Sequence, residues 1–295
     1  WETPGNYSRI FAFDLQDGKI ASDGVALDGN LIGDSPSKPF GGGEEIAWVP
    51  GEEGVFFTLR TADRDEPRST NLDLYGAKAD GSETVNYTDS NEATDTLPAF
   101  SSDGEWLAWA AMERPGYEAD RMVVKLRKKG SDEEEAVALT KDWDRSVGSI
   151  VWTTDDRNLI VTAQDVLDHP AFNVDVETGE VTRLTGEGNV GTTIPLRDGS
   201  LIYTMNSTQL PTDLYRRAPD GTVAQLTNIN GRELADIDRV DIQRFNFSGA
   251  GGDKVWGQII KPVGATGELP MAFLVHGGPQ GSFGNSWSTR WNPKV

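Results

Sequence analysis

A pattern of strands and turns repeats along this chain. Three segments, EIAWVPGEEGVFFTL, LPAFSSDGEWLAWAA and SIVWTTDDRNLIVTA, each read as a short strand, a polar turn and a second strand rich in β-branched or aromatic residues. Trp48, Phe100 and Trp152 occupy matching places in them, 52 residues apart in both steps. TIPLRDGSLIYTM, further on, is a looser fourth copy. Repetition at such a period indicates that one supersecondary unit recurs.

A second repeated half follows each first half and ends in threonine. The four copies end at Thr88, Thr140, Thr185 and Thr227, which are 52, 45 and 42 residues apart. Each copy reads as two strands joined by a turn, such as Asp220-Gly221, a dipeptide that tolerates the positive φ of tight hairpins. The two halves together supply four strands per repeat, which is typical of the blades of a β-propeller.

We therefore predict an all-β fold, with an incomplete β-propeller over residues 1–235. About five blades are visible, counting RIFAFDLQDGKI near the start as part of one. A β-solenoid is a poorer alternative because its coils are shorter, and a β-sandwich has no reason to repeat its sequence. The radial four-stranded sheets should run from about Arg9 to Thr227 and bury Trp48, Phe100 and Trp152 between neighbouring blades.

The pattern changes after about Asp236. RVDIQRFNFSG and KVWGQIIKPVG read as two alternating strands around a glycine-rich turn, and Met271–Val275 is a continuous apolar run. Such a run suits a strand buried on both faces, as in the central sheet of an α/β domain. We predict that residues 236–295 are the first strands of a second domain.

The sequence His276-Gly277-Gly278 follows this apolar run directly. A buried strand leading into HGG is how many α/β-hydrolases build half of an oxyanion hole. Glycines let the backbone turn so that an N–H points into the site, where it stabilises the developing oxyanion. HGG alone is a weak signal, and its plain alternative is a glycine-rich loop after a strand.

Four stretches together resemble the prolyl oligopeptidase family of serine peptidases, on its acylaminoacyl-peptidase and dipeptidyl-peptidase-V branch. They are VHGGPQGSFGNSWSTRWNP, AMERPGYEADR, LTKDWDRSVGSIVWTTD and FGGGEEIAW, and the resemblance runs over essentially the whole chain. It implies a propeller over an α/β-hydrolase domain that cleaves short peptides, with the propeller gating their access. It also implies that the Gly278 N–H is an oxyanion donor and that Gly277 shapes the loop. His276 precedes the expected nucleophile, so we interpret it as structural.

The departures from this family are as informative as the matches. No GxSxG occurs in the chain, and Gly284–Ser288 lacks the final glycine. The catalytic Ser, Asp and His are therefore absent from this chain, which we predict to be inactive alone. It also shows fewer blades than the family's usual seven or eight, roughly. One alternative is a non-catalytic, TolB-like propeller that binds proteins, and another is one half of a processed two-chain enzyme.

An acidic propeller loop holds the substrate's free α-ammonium in dipeptidyl peptidases. By that resemblance Glu118 is the candidate for substrate binding, with Glu113 second, because both lie in the connection after a predicted core strand. The competing interpretation is a solvated acidic loop, or an ion pair of Glu118 with Arg114 or Arg121.

The amino-acid composition argues against several classes of binding partner. The formal net charge of −20 argues against nucleic acid and anionic lipid, and no apolar run approaches the length of a membrane span. With no Cys and with His169 alone in its loop, we expect neither a cofactor nor a metal. A short peptide is the expected partner and a homo-oligomer is left open. We expect a secreted or periplasmic protein, with the cytoplasm as the alternative.

Overall fold

The computed structural model describes residues 5–52, 54–132, 135–237, 239–278 and 281–290, and in these residues the fold is all-β. The strands are β1 (Phe11–Ala12), β2 (Leu15–Gln16), β3 (Lys19–Ile20), β4 (Val25–Ala26), β5 (Gly33–Asp34), β6 (Ile46–Trp48), β7 (Gly54–Thr61), β8 (Asp73–Lys78), β9 (Val85–Asn86), β10 (Asp95–Phe100), β11 (Trp106–Ala111), β12 (Val123–Lys128), β13 (Val137–Ala138), β14 (Val147–Trp152), β15 (Asn158–Ala163), β16 (Ala171–Asp175), β17 (Val181–Arg183), β18 (Asn189–Pro195), β19 (Leu201–Asn206), β20 (Asp213–Arg217), β21 (Val223–Gln225), β22 (Val240–Ser248) and β23 (Lys254–Pro262). Single 3-10 turns lie at Gly43–Glu45, Glu66–Arg68 and Ala250–Gly252. Nothing helical in these residues has the length and apolar character that crossing a membrane demands.

Sheets of four strands follow one another along the chain, as the repeat predicts. Strands β10–β13, β14–β17 and β18–β21 each form one sheet in chain order. In the first and third of these, every pair is antiparallel. An earlier five-stranded sheet runs β5-β7-β8-β9, with β6 also paired to β7. Strands β1 with β4 and β2 with β3 form two small sheets before it.

The repeated threonines have a structural role in these sheets. Each hydroxyl accepts a 2.9 Å hydrogen bond from a backbone N–H in the third strand of its own repeat. The donors are Leu74, Val124, Ala171 and Leu214, and the acceptors are Thr88, Thr140, Thr185 and Thr227. The fourth strands are only two or three residues long, so the hydroxyl takes over where the backbone ladder stops. This explains why threonine recurs at the end of each repeat.

Replacing Thr140 with valine should lower the free energy of unfolding by about 1–3 kcal/mol, because the buried Val124 N–H loses its acceptor. Thr140 is only 1% exposed, so water cannot take over. Urea denaturation measures the loss, and Thr140→Ser is the matched control because it keeps the hydroxyl. Equal stability of the valine and serine variants would contradict this role.

The three repeated aromatic residues occupy equivalent backbone positions but different environments. Trp48, Phe100 and Trp152 each end the first strand of a repeat. Trp152 is 8% exposed, and its Nε1–H donates to the Ala99 carbonyl on β10 at 3.0 Å. Phe100 is half-buried and packs edge-on against Phe56, with ring centroids 4.9 Å apart.

The predicted burial of Trp48 is wrong, because its side chain is 61% exposed. Trp152 is covered by the first strand of the preceding repeat. In the described chain before β6, each strand has only two residues. None of these short strands covers the Trp48 side chain as β10 covers that of Trp152. The repeat therefore predicts the backbone position of this tryptophan correctly but not its environment.

The chain forms two compact units. They are residues 1–161 with 173–181, and residues 162–172 with 182–295. In the first unit, Trp109 is fully buried in a cluster with the buried residues Val49, Phe56, Leu74, Leu107 and Ala111. In the second, the rings of Tyr203 and Tyr215 stack with centroids 5.7 Å apart.

The region after Asp236 differs from its sequence-based prediction in one respect. Strands β22 and β23 form the expected antiparallel hairpin, with nine residue pairs. Met271–Val275 forms no strand, and Met271 and Phe273 are 84% and 81% exposed. The prediction of a buried strand is therefore wrong for this chain as described. A strand buried on both faces needs neighbouring strands, and no described residue pairs with this segment.

Candidate active-site segments

The glycine loop after the apolar run is open and exposed. Gly278 has a φ of 135°, in a region that residues with a side chain rarely adopt, so glycine is required at this position. Neither the N–H of Gly277 nor that of Gly278 makes a hydrogen bond within the described residues. Among the residues described, the His276 ring makes one hydrogen bond, between Nδ1 and the Gly277 carbonyl at 3.3 Å. Among the described residues, the loop thus presents two backbone donors without a hydrogen-bond partner, and at Gly278 its backbone is one that only glycine readily adopts.

The connection between β11 and β12 carries the predicted acidic residues, and Asp120 organises it. The Asp120 carboxylate accepts hydrogen bonds from the backbone N–H groups of Glu113 and Arg114, at 2.9 and 2.8 Å. Partial burial raises the pKa of Asp120, but these backbone hydrogen bonds and Arg114 outweigh it and lower the pKa overall. The Arg114 guanidinium lies 4.0 Å from the centroid of the Tyr117 ring. The loop is therefore held by contacts among its own residues and by the Gly116 N–H, which donates to the Thr70 hydroxyl at 3.0 Å.

Glu118 is exposed on this loop, and its carboxylate makes no ion pair or hydrogen bond to a described residue. Arg121, a candidate partner from the sequence, instead donates to the carbonyls of Trp143 and Lys141 at 2.5 and 2.7 Å. Arg114, the other candidate, stacks on an aromatic ring. The carboxylate of Glu118 is therefore not used by either arginine, and the same holds for the exposed side chain of Glu113.

A buried carboxylate that the sequence did not reveal is Asp168, in the turn between β15 and β16. It is 3% exposed and accepts two hydrogen bonds from Arg244, at 2.7 and 2.8 Å. The Gly188 N–H at 2.9 Å and the Asn285 amide at 3.0 Å also donate to it, and a terminal nitrogen of Arg183 lies 3.9 Å from its other oxygen. Burial raises the pKa of Asp168, but the hydrogen bonds from Arg244, Asn285 and Gly188 outweigh it and lower the pKa overall. Asp168 therefore remains a carboxylate.

Asn285 fastens the segment that follows the glycine loop. Its side-chain oxygen accepts the Thr208 N–H at 3.0 Å, and its own N–H donates to the Leu167 carbonyl. Two residues later, the Trp287 N–H donates to the Asn206 side chain at 2.9 Å. These contacts join residues that are far apart in sequence, and no local motif predicts them.

The predicted site residues fall in two compact units. Glu113 and Glu118 belong to the unit of residues 1–161 with 173–181, and Gly277 and Gly278 to the other. Asp168, Arg244 and Asn285 share the second unit with the glycine loop. Within that second unit, these three residues hydrogen-bond to one another through the Asp168 carboxylate.

Comparison with curated sequences gives a relative along almost the entire chain, although no family model matches it. Dipeptidyl-peptidase 5 of Aspergillus fumigatus is 30% identical over 313 aligned residues, which cover 98% of this chain and 43% of that protein. The dipeptidyl-peptidase 5 of Trichophyton schoenleinii is 29% identical over 92% of this chain and 41% of its own length. The chain thus spans less than half the length of the curated relatives it matches.

Comparison with solved structures supports the same kind of fold. Acylaminoacyl peptidase from Pyrococcus horikoshii superposes with a TM-score of 0.67 at 20% identity, over 84% of this chain and 37% of that one. A putative TolB from Agrobacterium tumefaciens has a TM-score of 0.52 at 12% identity, over 70% of this chain and 69% of that one. At these identities the structures establish similarity of fold.

Proposed function

Because this chain belongs to the prolyl oligopeptidase family, we propose that it is part of a serine peptidase that hydrolyses short peptides. The activity is that of a dipeptidyl peptidase or an acylaminoacyl peptidase. The observation that carries the proposal is the glycine loop, in which the N–H groups of Gly277 and Gly278 make no hydrogen bond to any residue that the structure describes. A protein-binding module has no use for such donors.

The proposed architecture assigns residues 1–235 to an incomplete β-propeller and residues 236–295 to the start of an α/β-hydrolase domain. The successive sheets, one of five strands and then three of four strands, follow the four repeats and support the propeller assignment. A propeller over the active site restricts entry to chains thin enough to pass, and so it gates access by substrate. The expected substrates are therefore short peptides.

In the proposed mechanism, a serine hydroxyl attacks the scissile carbonyl carbon while a histidine takes its proton. Negative charge then develops on the carbonyl oxygen, and the Gly278 N–H donates a hydrogen bond to it. One such donor contributes roughly 10²–10³ in kcat. The serine, the acid and the histidine belong to the rest of the protein, because this chain has no GxSxG.

The chain alone should not hydrolyse a dipeptidyl chromogenic substrate, whereas the complete polypeptide should. An oxyanion donor without a nucleophile and a base leaves little catalysis. The measurement is release of the chromophore by each purified protein, with the complete polypeptide bearing Ser→Ala at its GxSxG as the control. Activity of the chain alone that survives repurification would refute the prediction.

We further propose that Glu118 binds the free α-ammonium of the substrate, with Glu113 as the second candidate. A charged hydrogen bond of this kind contributes about 1.5–3 kcal/mol. Glu118→Gln in the complete enzyme should therefore raise KM for free-amine substrates about tenfold or more, and leave N-blocked substrates unaffected. Glu113→Gln tests the second candidate on the same loop in the same way, and the N-blocked substrates are the control for both variants. An equal loss on both substrate types would mean that Glu118 is structural.

A non-catalytic, TolB-like binding module is the second candidate, favoured by the fold similarity to the putative TolB. The two candidates differ in what they require after Phe245, where a binding propeller needs no glycine loop. Preference for N-blocked substrates by the complete protein would instead identify an acylaminoacyl peptidase.

A secreted or periplasmic location stays a prediction.

A further inference from the structure

We propose that Asp168 is a positioning residue for the glycine loop, because its single carboxylate holds both flanks of the segment that carries Gly277 and Gly278. This inference rests on the proposed function, in which the Gly278 N–H is an oxyanion donor. Asp168 itself touches no reacting atom in the proposal and acts through the backbone of the loop.

The upstream flank is held through Arg244. This arginine lies on β22, and its two terminal nitrogens donate to the two oxygens of Asp168 at 2.7 and 2.8 Å. Arg244 is opposite Gln258 on β23, the last strand before the glycine loop, and β23 ends at Pro262, 15 residues before Gly277. The Gln258 side chain in turn donates to the Phe283 carbonyl at 2.7 Å. The hairpin is thus bonded both to Asp168 and to the segment beyond the glycines.

The downstream flank is held through Asn285, whose side-chain N–H donates to Asp168 Oδ1 at 3.0 Å. Asp168, Arg244, Gln258, Phe283 and Asn285 therefore form a closed ring of contacts. The two arms of the ring meet at one carboxylate, which is 3% exposed. Removing that carboxylate removes the hydrogen bonds of both arms at once, whereas removing Arg244 or Asn285 removes those of one arm. The contacts of Asn285 with Thr208 and Leu167 remain in Asp168→Ala.

The turn that carries Asp168 is built tightly. Asp165 and Asp168 exchange backbone hydrogen bonds at 2.8 and 3.1 Å. Between them Val166 has a φ of 58°, which is unfavourable for a β-branched residue. A Cβ on Gly284 would lie 2.8 Å from the Leu167 carbonyl oxygen, so only glycine lets the downstream segment approach so closely. Such strain persists where the surrounding structure fixes the conformation.

Oxyanion stabilisation depends on this kind of fixation. A donor must sit close to the productive geometry, within roughly 0.5 Å, and its own support decides whether it does. No hydrogen bond to a described residue fixes the N–H of Gly278. We therefore expect the loss of Asp168 to reduce binding of the transition state more than binding of the substrate.

The test is Asp168→Ala in the complete enzyme. We expect kcat to fall about tenfold or more while KM stays within about twofold, because the lost interaction belongs to the transition state. Affinity for a peptide boronic acid, which mimics the tetrahedral intermediate, should fall by the same factor as kcat. The double variant Arg244→Gln/Asn285→Ala should reproduce the loss. Glu187→Ala is the matched control, since Glu187 is an exposed carboxylate 3.5 Å from Arg244.

Hydrogen exchange of the backbone amides of this chain is a measurement that does not depend on catalytic activity. Amides of residues 281–288 should exchange faster in Asp168→Ala than in Glu187→Ala, while those of β10 and β11 stay unchanged. The inference would be overturned by an unaltered kcat, by a rise in KM as large as the fall in kcat, or by unaltered exchange at residues 281–288. An inactive wild-type enzyme would instead overturn the proposed function, and the exchange experiment would still decide whether Asp168 fastens the segment.

Discussion

Replacing Trp109 with alanine is expected to lower the free energy of unfolding by about 3–5 kcal/mol, the range typical of large aromatic residues removed from a core. Trp109 is fully buried on β11 and packs among the apolar side chains of the first unit, including Phe56 and Leu74. The surrounding strands are fixed by their ladders, so the cavity cannot collapse around the smaller residue.

A polar contact adds to this loss. The Trp109 Nε1–H donates to Asp95 Oδ1 at 2.6 Å, and Asp95 is 0% exposed. Asn91 donates to the other oxygen of Asp95 at 2.7 Å. Alanine therefore removes one of the donors to a buried carboxylate as well as the ring. Trp109→Phe separates the two effects, because it keeps most of the apolar contact and loses the donor.

The measurement is urea denaturation followed by circular dichroism, with Trp106→Ala as the matched control. Trp106 lies on the same strand three residues earlier, on the opposite face, and is 38% exposed. Its loss should cost less than about 1.5 kcal/mol, since little buried area changes. If both variants lose the same stability, the packing described for Trp109 is wrong.

The repeat predicts the sheets well because its residues are fixed by local chemistry. Threonine at the end of each repeat accepts an N–H of the same repeat, so the pattern in sequence and the bond in structure coincide. The aromatic positions depend on a neighbouring repeat as well. Trp152 has such a neighbour in β10, and Trp48 is exposed. Sequence periodicity predicts strand and register, and burial needs the neighbouring strand too.

The candidate site likewise has a part that the sequence predicts and a part that it does not. The glycine loop can be predicted from the sequence because its residues form a contiguous motif, and Gly278 adopts the positive φ that the motif suggests. Asp168 meets Arg244 and Asn285 across 76 and 117 residues, respectively. No spacing rule connects such residues, so a single sequence cannot reveal them. The buried strand at Met271–Val275 is wrong for a related reason, since hydrophobicity alone does not supply partner strands.

Replacing Asp73 with asparagine is expected to stabilise the protein near neutral pH. Asp73 begins β8, is 5% exposed, and its Oδ1 has no hydrogen-bond donor among the described residues. Burial is the main cause that raises its pKa from 3.8 to about 6, and Asp89 raises it further, against hydrogen bonds from Asn86 and Asn71. Above that pH the folded protein must hold a poorly solvated charge.

The pKa difference fixes the sign and window of the effect. The folded state binds a proton more tightly than the unfolded state, so the parent protein loses stability as the pH rises from about 4 to about 6. A shift of this size corresponds to about 3 kcal/mol, which sets an upper limit on the gain from asparagine. Asp73→Asn should therefore exceed the parent by up to about 3 kcal/mol at about pH 8, and the difference should vanish near about pH 4.

Asp213 is the matched control, because it begins β20 as Asp73 begins β8 and is equally buried. Its carboxylate accepts hydrogen bonds from the Thr227 hydroxyl at 2.7 Å, the Ile229 N–H at 3.0 Å and the Gln225 amide at 3.2 Å. Asparagine there loses an acceptor, so Asp213→Asn should destabilise the protein at about pH 8 by about 1–3 kcal/mol. Urea denaturation of the parent and both variants across the pH range measures these differences in the free energy of unfolding. If Asp73→Asn is no more stable than the parent at about pH 8, the buried carboxyl carries no cost, since a cost from burial must be relieved by the neutral amide.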